Sequence, residues 1–274
     1  MFLISLSVVF ASAAAQAGER VLSLGGSVTE IIYALGEEDR LIARDTTSSF
    51  PPEVEDLPDV GYLRALSPEG VLSVSPDLVI AEEGAGPPEA IAVLDAASVP
   101  FVSVPDGYDR AAVRAKIEAV AEALDVVEKG AALADKIDAD LAQAITTAET
   151  GEDKRVLFIL SMQGGRILAS GTNTAADGII RLSGGQNAMT EYEGYKPLTD
   201  EAAIEANPDV ILMMDRGGDH SANDTELFSH PSLAVTPAAK NRAIVRVDGL
   251  LLLGFGPRTP EAVQRLSEAL DNAG

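Results

Sequence analysis

One five-residue pattern occurs twice, and it constrains the chain more than any other feature. Pro76-Asp77-Leu78-Val79-Ile80 recurs as Pro208-Asp209-Val210-Ile211-Leu212, an offset of 132 residues (208 − 76). At the same offset Glu69 falls on Glu201, Leu66 on Leu198, Ser67 on Thr199 and Arg64 on Lys196. Gly61-Tyr62 is echoed one residue out of phase by Gly194-Tyr195. An internal repeat on this scale predicts two similar units. Two units that face each other make a cleft, and such interfaces are favoured ligand sites.

The segments around each copy say what the units are. Val21-Leu22-Ser23-Leu24, Leu41-Ile42-Ala43-Arg44, Leu78-Val79-Ile80-Ala81 and Phe101-Val102-Ser103-Val104 read as short buried strands. Helices are expected between them, one near Glu30 to Leu35 capped by Ser27 or Thr29, one over 68–74 and one over 89–97. Strand alternating with helix predicts a mostly parallel sheet. The pattern restarts with strands at 156–160, 167–169, 210–214 and 244–247, helices over 174–182 and 260–269, and a Gly164-Gly165 turn. Between the units, residues 110–150 hold almost no breakers. Apolar residues recur there at helical spacing: Val113, Ile117, Val120, Leu124, then Leu133, Ile137, Leu141 and Ile145. The phase slips near Asp125, which leaves a second helix of roughly 20 residues, about 30 Å long. The expected fold is therefore α/β: two Rossmann-like lobes joined by one long interlobe helix, with 18–125 as the first lobe, 126–151 as the linking helix and 152–274 as the second.

Residues 1–17 are uncharged and apolar and end in Ala15-Gln16-Ala17, the small-x-small pattern of a signal-peptidase site. They lack a basic n-region, but the run is too short for a membrane anchor and breaks into Gly18-Glu19-Arg20. An exported, periplasmic protein beginning near Gly18 is expected. The chain contains no cysteine, which excludes disulfides, zinc–thiolate sites, a cysteine nucleophile and a lipid-bearing cysteine. A net charge of −23 argues against nucleic acid and anionic membranes as partners. Neither glycine cluster fits a dinucleotide or phosphate-loop fingerprint. No nucleophile elbow, metal-hydrolase motif or paired acid appears, so an enzyme is not expected. The two histidines, His220 and His230, are too few for a multi-histidine metal site.

The stretch Gly61-Tyr62-Leu63-Arg64-Ala65-Leu66-Ser67-Pro68-Glu69 carries the most chemistry. A phenol, with an ordinary pKa near 10, is a poor ligand at neutral pH. A ferric ion and an adjacent guanidinium both favour the phenolate, so Tyr62 beside Arg64 can become an anionic oxygen ligand. On those residues alone, a solvated loop tyrosine and arginine is the stronger reading.

Further residues alter that balance. Arg20-Val21-Leu22-Ser23-Leu24, Thr29-Glu30, Tyr62-Leu63-Arg64, the Pro76-Asp77 strand, 171–177, Gly194-Tyr195-Lys196-Pro197-Leu198 and Gly254-Phe255-Gly256-Pro257-Arg258-Thr259 together resemble the periplasmic haem-binding proteins of bacterial ABC importers. Cobalamin and ferric-siderophore binding proteins share the strand-plus-Pro-Asp pattern, whereas the Gly-Tyr-x-Arg and Gly-Phe-Gly-Pro-Arg-Thr stretches point more narrowly to haem. The resemblance implies a rigid two-lobed monomer with ferric haem in the cleft as transported ligand. Tyr62 would hold the iron, and Arg64 would bond the phenolate or a propionate. Lys196 and Arg258 would meet propionates by motif and Arg166 by proximity, each with a solvated surface charge as the competing reading. Tyr195 would lie on the porphyrin face or pack at the lobe edge. Some relatives add a histidine from the second lobe. Its nearest counterpart here is Met162, which reads as a core residue and stands as the candidate sixth ligand. Glu69 and Glu201, one at each equivalent helix start, would dock on a permease dimer carrying its ATPase subunits. The alternatives are a siderophore or cobalamin receptor and, from another class, a haem-handling enzyme such as a dechelatase.

Overall fold

The computed structural model describes residues 19–151, 153–215 and 223–273. The signal-peptide expectation and His220 lie outside those residues. In the first lobe, β1 (Val21–Leu24), β2 (Leu41–Arg44), β3 (Leu78–Glu82) and β4 (Phe101–Val104) form a parallel sheet in the order β2-β1-β3-β4. Helices α1 (Gly26–Ala34), α2 (Pro68–Ser73) and α3 (Pro88–Ala96) connect them. β1 is buried at every position, as expected for a strand covered on both faces.

The helical stretch divides where the periodicity slips. α4 (Arg110–Ala123) stops, Asp125 adopts a left-handed φ of 60°, and α5 (Val127–Ala148) runs for 22 residues. α5 packs along α4 on one side and along the last helix, α11 (Thr259–Asn272), on the other. Its buried stripe is Ala134, Ile137, Leu141, Ala144 and Ala148, spaced by three and four.

The second lobe contains β5 (Arg155–Gln163), β6 (Arg166–Ser170), α6 (Ala175–Leu182), β7 (Gln186–Asn187), β8 (Tyr195–Leu198), α7 (Asp200–Ala206), β9 (Val210–Asp215), α8 (Asp224–Ser229), α9 (Pro237–Asn241), β10 (Ile244–Asp248) and α10 (Gly249–Leu253). Its sheet runs β10-β9-β5-β6-β8. β10, β9 and β5 are mutually parallel, whereas β5-β6 and β6-β8 are antiparallel, so a hairpin turning at Gly164-Gly165 extends this lobe. One hydrophobic core is continuous across both lobes, from Val21 and Ile31 through Ile117 and Ile137 to Phe158, Ile179 and Leu266. A shared core of this kind holds the lobes in one relation.

Two expectations need correction. α1 begins at Gly26, four residues before Glu30, and neither Ser27 nor Thr29 caps it. Both hydroxyls are buried and committed elsewhere: Thr29 bonds Ser23 and Ser48 at 2.7 Å each, and Ser27 donates to Glu82. α10 packs directly on this helix start, where a methyl group at Gly26 would meet Leu250 Cδ1 at 2.4 Å. Second, the Gly194-Tyr195 echo of Gly61-Tyr62 is only local: both glycines have a positive φ, 97° and 77°, and both tyrosines are extended, but the elements that follow differ. Tyr62 precedes a short 3-10 turn, while Tyr195 opens strand β8.

Candidate functional site

Ligands of open parallel sheets bind beyond the carboxyl ends of the strands, and both lobes turn those ends toward each other here. A cavity of about 1330 Å³ lies between them. The first lobe contributes Gly26 and Ser27 after β1, Thr46 and Thr47 after β2, Glu82 at the end of β3, and Asp106 and Tyr108 after β4. The second contributes Leu160 within β5, Met214 and Asp248 at the ends of β9 and β10, Asn173 and Thr174 before α6, and Leu250 and Leu253 from α10.

Tyr62, Arg64 and Tyr195 all line this space. Tyr62 is 45% exposed, so its phenol is available to a ligand in the cleft. Its loop is held by backbone bonds, the Thr46 N–H donating to Gly61 O at 3.1 Å and the Ala65 N–H to Tyr62 O at 2.8 Å. Arg64 is exposed and, among the described residues, has no hydrogen-bond or ion-pair partner. Tyr195 sits across the cleft with its ring 6.3 Å from Phe158. Burial pushes the Tyr195 phenol above its usual pKa, against opposing contributions from Thr174, the Ala176 N–H, Ser170 and Arg64. Burial and the neighbouring Asp106 push Tyr108 up to about 12. Both phenols therefore resist ionisation, which makes them poor anionic ligands.

The other sequence-derived candidates lie elsewhere. Met162 is buried in the outer core of the second lobe with Leu157, Ile159 and Met213, opposite Ile167 in the hairpin, and does not line the cleft. Arg166 is exposed at the hairpin's return, paired in register with Gln163. Lys196 lies with its ammonium 5.4 Å from the Tyr192 ring centre. Arg258 is committed: its Nε donates to Glu30 at 3.0 Å and its guanidinium stacks 3.7 Å from the centre of Phe50. Glu30 is buried, which raises its pKa, and Arg258 opposes that rise. The pair ties the segment before α11 to α1. His230 bonds Ser232 and Gly165 O at 2.9 Å, away from the cleft.

Glu69 and Glu201 occupy the second position of α2 and α7 respectively. Ser67 caps α2 by accepting from the Gly70 N–H, and Thr199 caps α7 by accepting from the Ala202 N–H, both at 3.2 Å. Glu69 is exposed, and its own backbone N–H and Ser67 lower its pKa. Glu201 is exposed as well.

Sequence reading missed the floor of the cleft. Lys116 of α4 is fully buried, and its Nζ donates to Asp106 at 3.0 Å, Glu82 at 3.1 Å, Gly254 O at 3.2 Å and Ser27 Oγ at 3.3 Å. The contact with Gly254 O reaches from the first lobe to the end of α10. A signal was present, since Lys116 falls on the stripe of Val113, Ile117 and Val120. Tyr108 was also missed, although its position just after β4 marks it.

Comparison with known proteins adds the following. The model of the periplasmic binding protein family matches residues 21–249. The solved structure of the periplasmic heme-binding protein BhuT, in complex with two hemes, superposes with a TM-score of 0.88 at 43% identity, covering 93% of this chain and 98% of that one. The uncharacterized ABC transporter substrate-binding lipoprotein YvrC of Bacillus subtilis (strain 168) is 28% identical over 92% of this chain and 80% of its own length. The vitamin B12-binding protein of Yersinia pestis (strain Pestoides F) is 27% identical over 83% and 80%.

Proposed function

The chain belongs to the periplasmic binding protein family, and from that premise we propose that it captures ferric haem in the interlobe cleft and delivers it to an ABC-type permease. The family and its structural neighbours are substrate-binding transport proteins, so the chain is a binding component and not an enzyme. The single observation that carries the haem reading is that an exposed Tyr62 and an Arg64 without a partner among the described residues line one wall of a cavity of about 1330 Å³. That volume exceeds the roughly 300–1,000 Å³ of ordinary small-molecule sites and suits a large planar ligand.

In this reading Tyr62 supplies the iron–oxygen bond. Tyr62 is the exposed phenol on the first lobe's wall of the cleft, whereas burial raises the pKa of Tyr108 and Tyr195. Arg64, with no hydrogen-bond or ion-pair partner among the described residues, would bond the phenolate oxygen or a propionate. Leu160, Met214, Leu250 and Leu253 line the cavity and would give the porphyrin ring apolar contacts. Met162 packs in the core away from the cleft, so no thioether ligand is expected from it and the haem iron would be five-coordinate and high-spin. Glu69 and Glu201, at equivalent helix starts on the two lobes, would engage the two subunits of the permease. Residues 1–17 would direct export to the periplasm and be removed.

Cobalamin or a ferric siderophore is the second reading, and the vitamin B12-binding relative is the reason to keep it. Identity of 43% to a heme-binding protein against 27% to that relative favours haem. A haemin titration of the wild type and Tyr62→Phe tests the assignment. The tyrosinate-to-iron charge-transfer band should be present in the first and absent in the second. Binding of cobalamin or a ferric siderophore without haemin would replace the haem reading.

A further inference from the structure

The stretch Gly254-Phe255-Gly256-Pro257-Arg258 joins α10 to α11 in the second lobe, and of its residues only Gly254 lines the cleft. Its partners lie across the lobe boundary. Gly254 O accepts from Lys116 Nζ at 3.2 Å. The Phe255 ring meets Tyr108 edge-on, with ring centres 5.6 Å apart. A methyl group at Gly256 would lie 3.3 Å from both Glu30 Oε2 and Ser27 Cβ. Arg258 bonds Glu30 and stacks on Phe50. We infer that residues 254–258 form an interlobe clasp that sets the width of the cleft, with Arg258 as its positioning residue. The clasp itself stands on geometry, and its effect on binding rests on the haem reading above.

The backbone of the stretch is held in one shape. Phe255 is buried and has a left-handed φ of 49°, a conformation that a bulky residue keeps only where its surroundings impose it. The N–H and hydroxyl of Thr259 both donate to Gly256 O, at 3.1 and 2.7 Å, and close the turn. α6 presses from the other side. A methyl group at Gly178 would meet Tyr108 O at 2.5 Å and Phe255 Cζ at 3.1 Å, so the first lobe's Tyr108 is wedged against two elements of the second.

Arg258 is gripped by two elements of the first lobe. Its Nε donates to Glu30 of α1 at 3.0 Å, its Nη2 donates to the same carboxylate, and its guanidinium lies 3.7 Å from the ring centre of Phe50, which follows β2. A planar guanidinium can bond and stack at once, which an ammonium cannot. The pair is largely withdrawn from water, the Arg258 and Glu30 side chains being 19% and 5% exposed, so loss of one partner is felt. The first-lobe groups held by the clasp also face the cavity. Ser27 and Tyr108 line it, as do Glu82 and Asp106, the carboxylates that share Lys116 with Gly254 O. A shift of the clasp therefore shifts walls that a ligand meets.

The chain has no cysteine, so two introduced ones can carry spin labels without competition. Val93→Cys on α3 and Ile204→Cys on α7 place exposed labels on the two lobes. Double electron–electron resonance on the ligand-free protein should give one narrow distance distribution, and Arg258→Ala should broaden it. The same variant should weaken haemin and haemin dimethyl ester by one common factor, about tenfold where one molecule in ten keeps the binding width. A distance distribution unchanged by Arg258→Ala would overturn the clasp, because a role in stability alone lowers Tm without altering the folded protein's distances. Weaker haemin binding with the ester spared would also overturn it, by making Arg258 a carboxylate ligand. Phe50→Ala keeps the ion pair and should broaden the distribution less. If Arg258→Ala fails to fold, an unbroadened distribution in Phe50→Ala overturns the clasp instead. A wild type that binds neither ligand would overturn the haem reading, while the ligand-free distances still decide the clasp.

Discussion

Replacing Lys116 with methionine removes the cation under the cleft while keeping an unbranched side chain of similar length. The ammonium is fully buried and meets four acceptors, two of them carboxylates at 3.0 and 3.1 Å. Breaking a buried pair by deleting one partner costs about 3–5 kcal/mol, because the remaining charge is stranded. Here Glu82 and Asp106 keep 16% and 21% of their side chains exposed at the cleft floor, so water recovers part of that loss. The expected cost is then near the lower bound, about 3 kcal/mol, which corresponds to a fall of roughly 6–12 °C in Tm for a chain of this size. Calorimetry of Lys116→Met measures it. Adding Glu82→Gln and Asp106→Asn removes the stranded charges and should restore at least half of the loss. A drop smaller than about 2 °C, less than the effect of 1 kcal/mol, would refute the reasoning. So would a triple variant less stable than the single one, since the cost would then lie in packing and not in charge.

Three further expectations concern pH, docking and the linking helix. Tyr108 holds its proton better folded than unfolded, so its contribution to stability is present below about pH 10 and lost as pH rises through about 12. Tyr108→Phe should flatten the alkaline fall in stability over that window, and an unchanged curve contradicts the assignment. Glu69→Arg with Glu201→Arg should leave haemin affinity and spectrum intact yet abolish stimulation of the transporter's ATPase in proteoliposomes. Normal transport by that double variant would leave both residues as helix-start carboxylates only. Leu141→Ala, in the buried stripe of α5, should cost about 2–5 kcal/mol in denaturant unfolding, and a loss under about 1 kcal/mol would mean the helix is not held by its packing.

Much of the fold was legible because its signals are local. Four continuous apolar runs became the four strands of the first sheet, and the phase slip at Asp125 became the left-handed break between α4 and α5. The repeated Pro-Asp strands became β3 and β9, each with a capped helix before it that carries Glu69 or Glu201. Features set by distant partners were not legible. Arg258 fits a recognisable motif, yet its guanidinium is bound by Glu30, 228 residues away in sequence. Lys116 stands out in sequence only as a charge on the apolar stripe of α4, and its partners Ser27, Glu82, Asp106 and Gly254 O come from other elements. The Ser27 and Thr29 hydroxyls read as caps because capping is the commonest local use of such residues. Their actual partners, Glu82, Ser23 and Ser48, come from other elements.

The central claim is that Tyr62 holds haem iron in the interlobe cleft, and an absorption-monitored haemin titration tests it most directly. It reports stoichiometry and ligand type in one experiment. The account predicts a saturable, high-spin ferric spectrum with a tyrosinate charge-transfer band, lost in Tyr62→Phe together with most of the affinity. A low-spin spectrum, or a band and affinity unchanged by Tyr62→Phe, would contradict it.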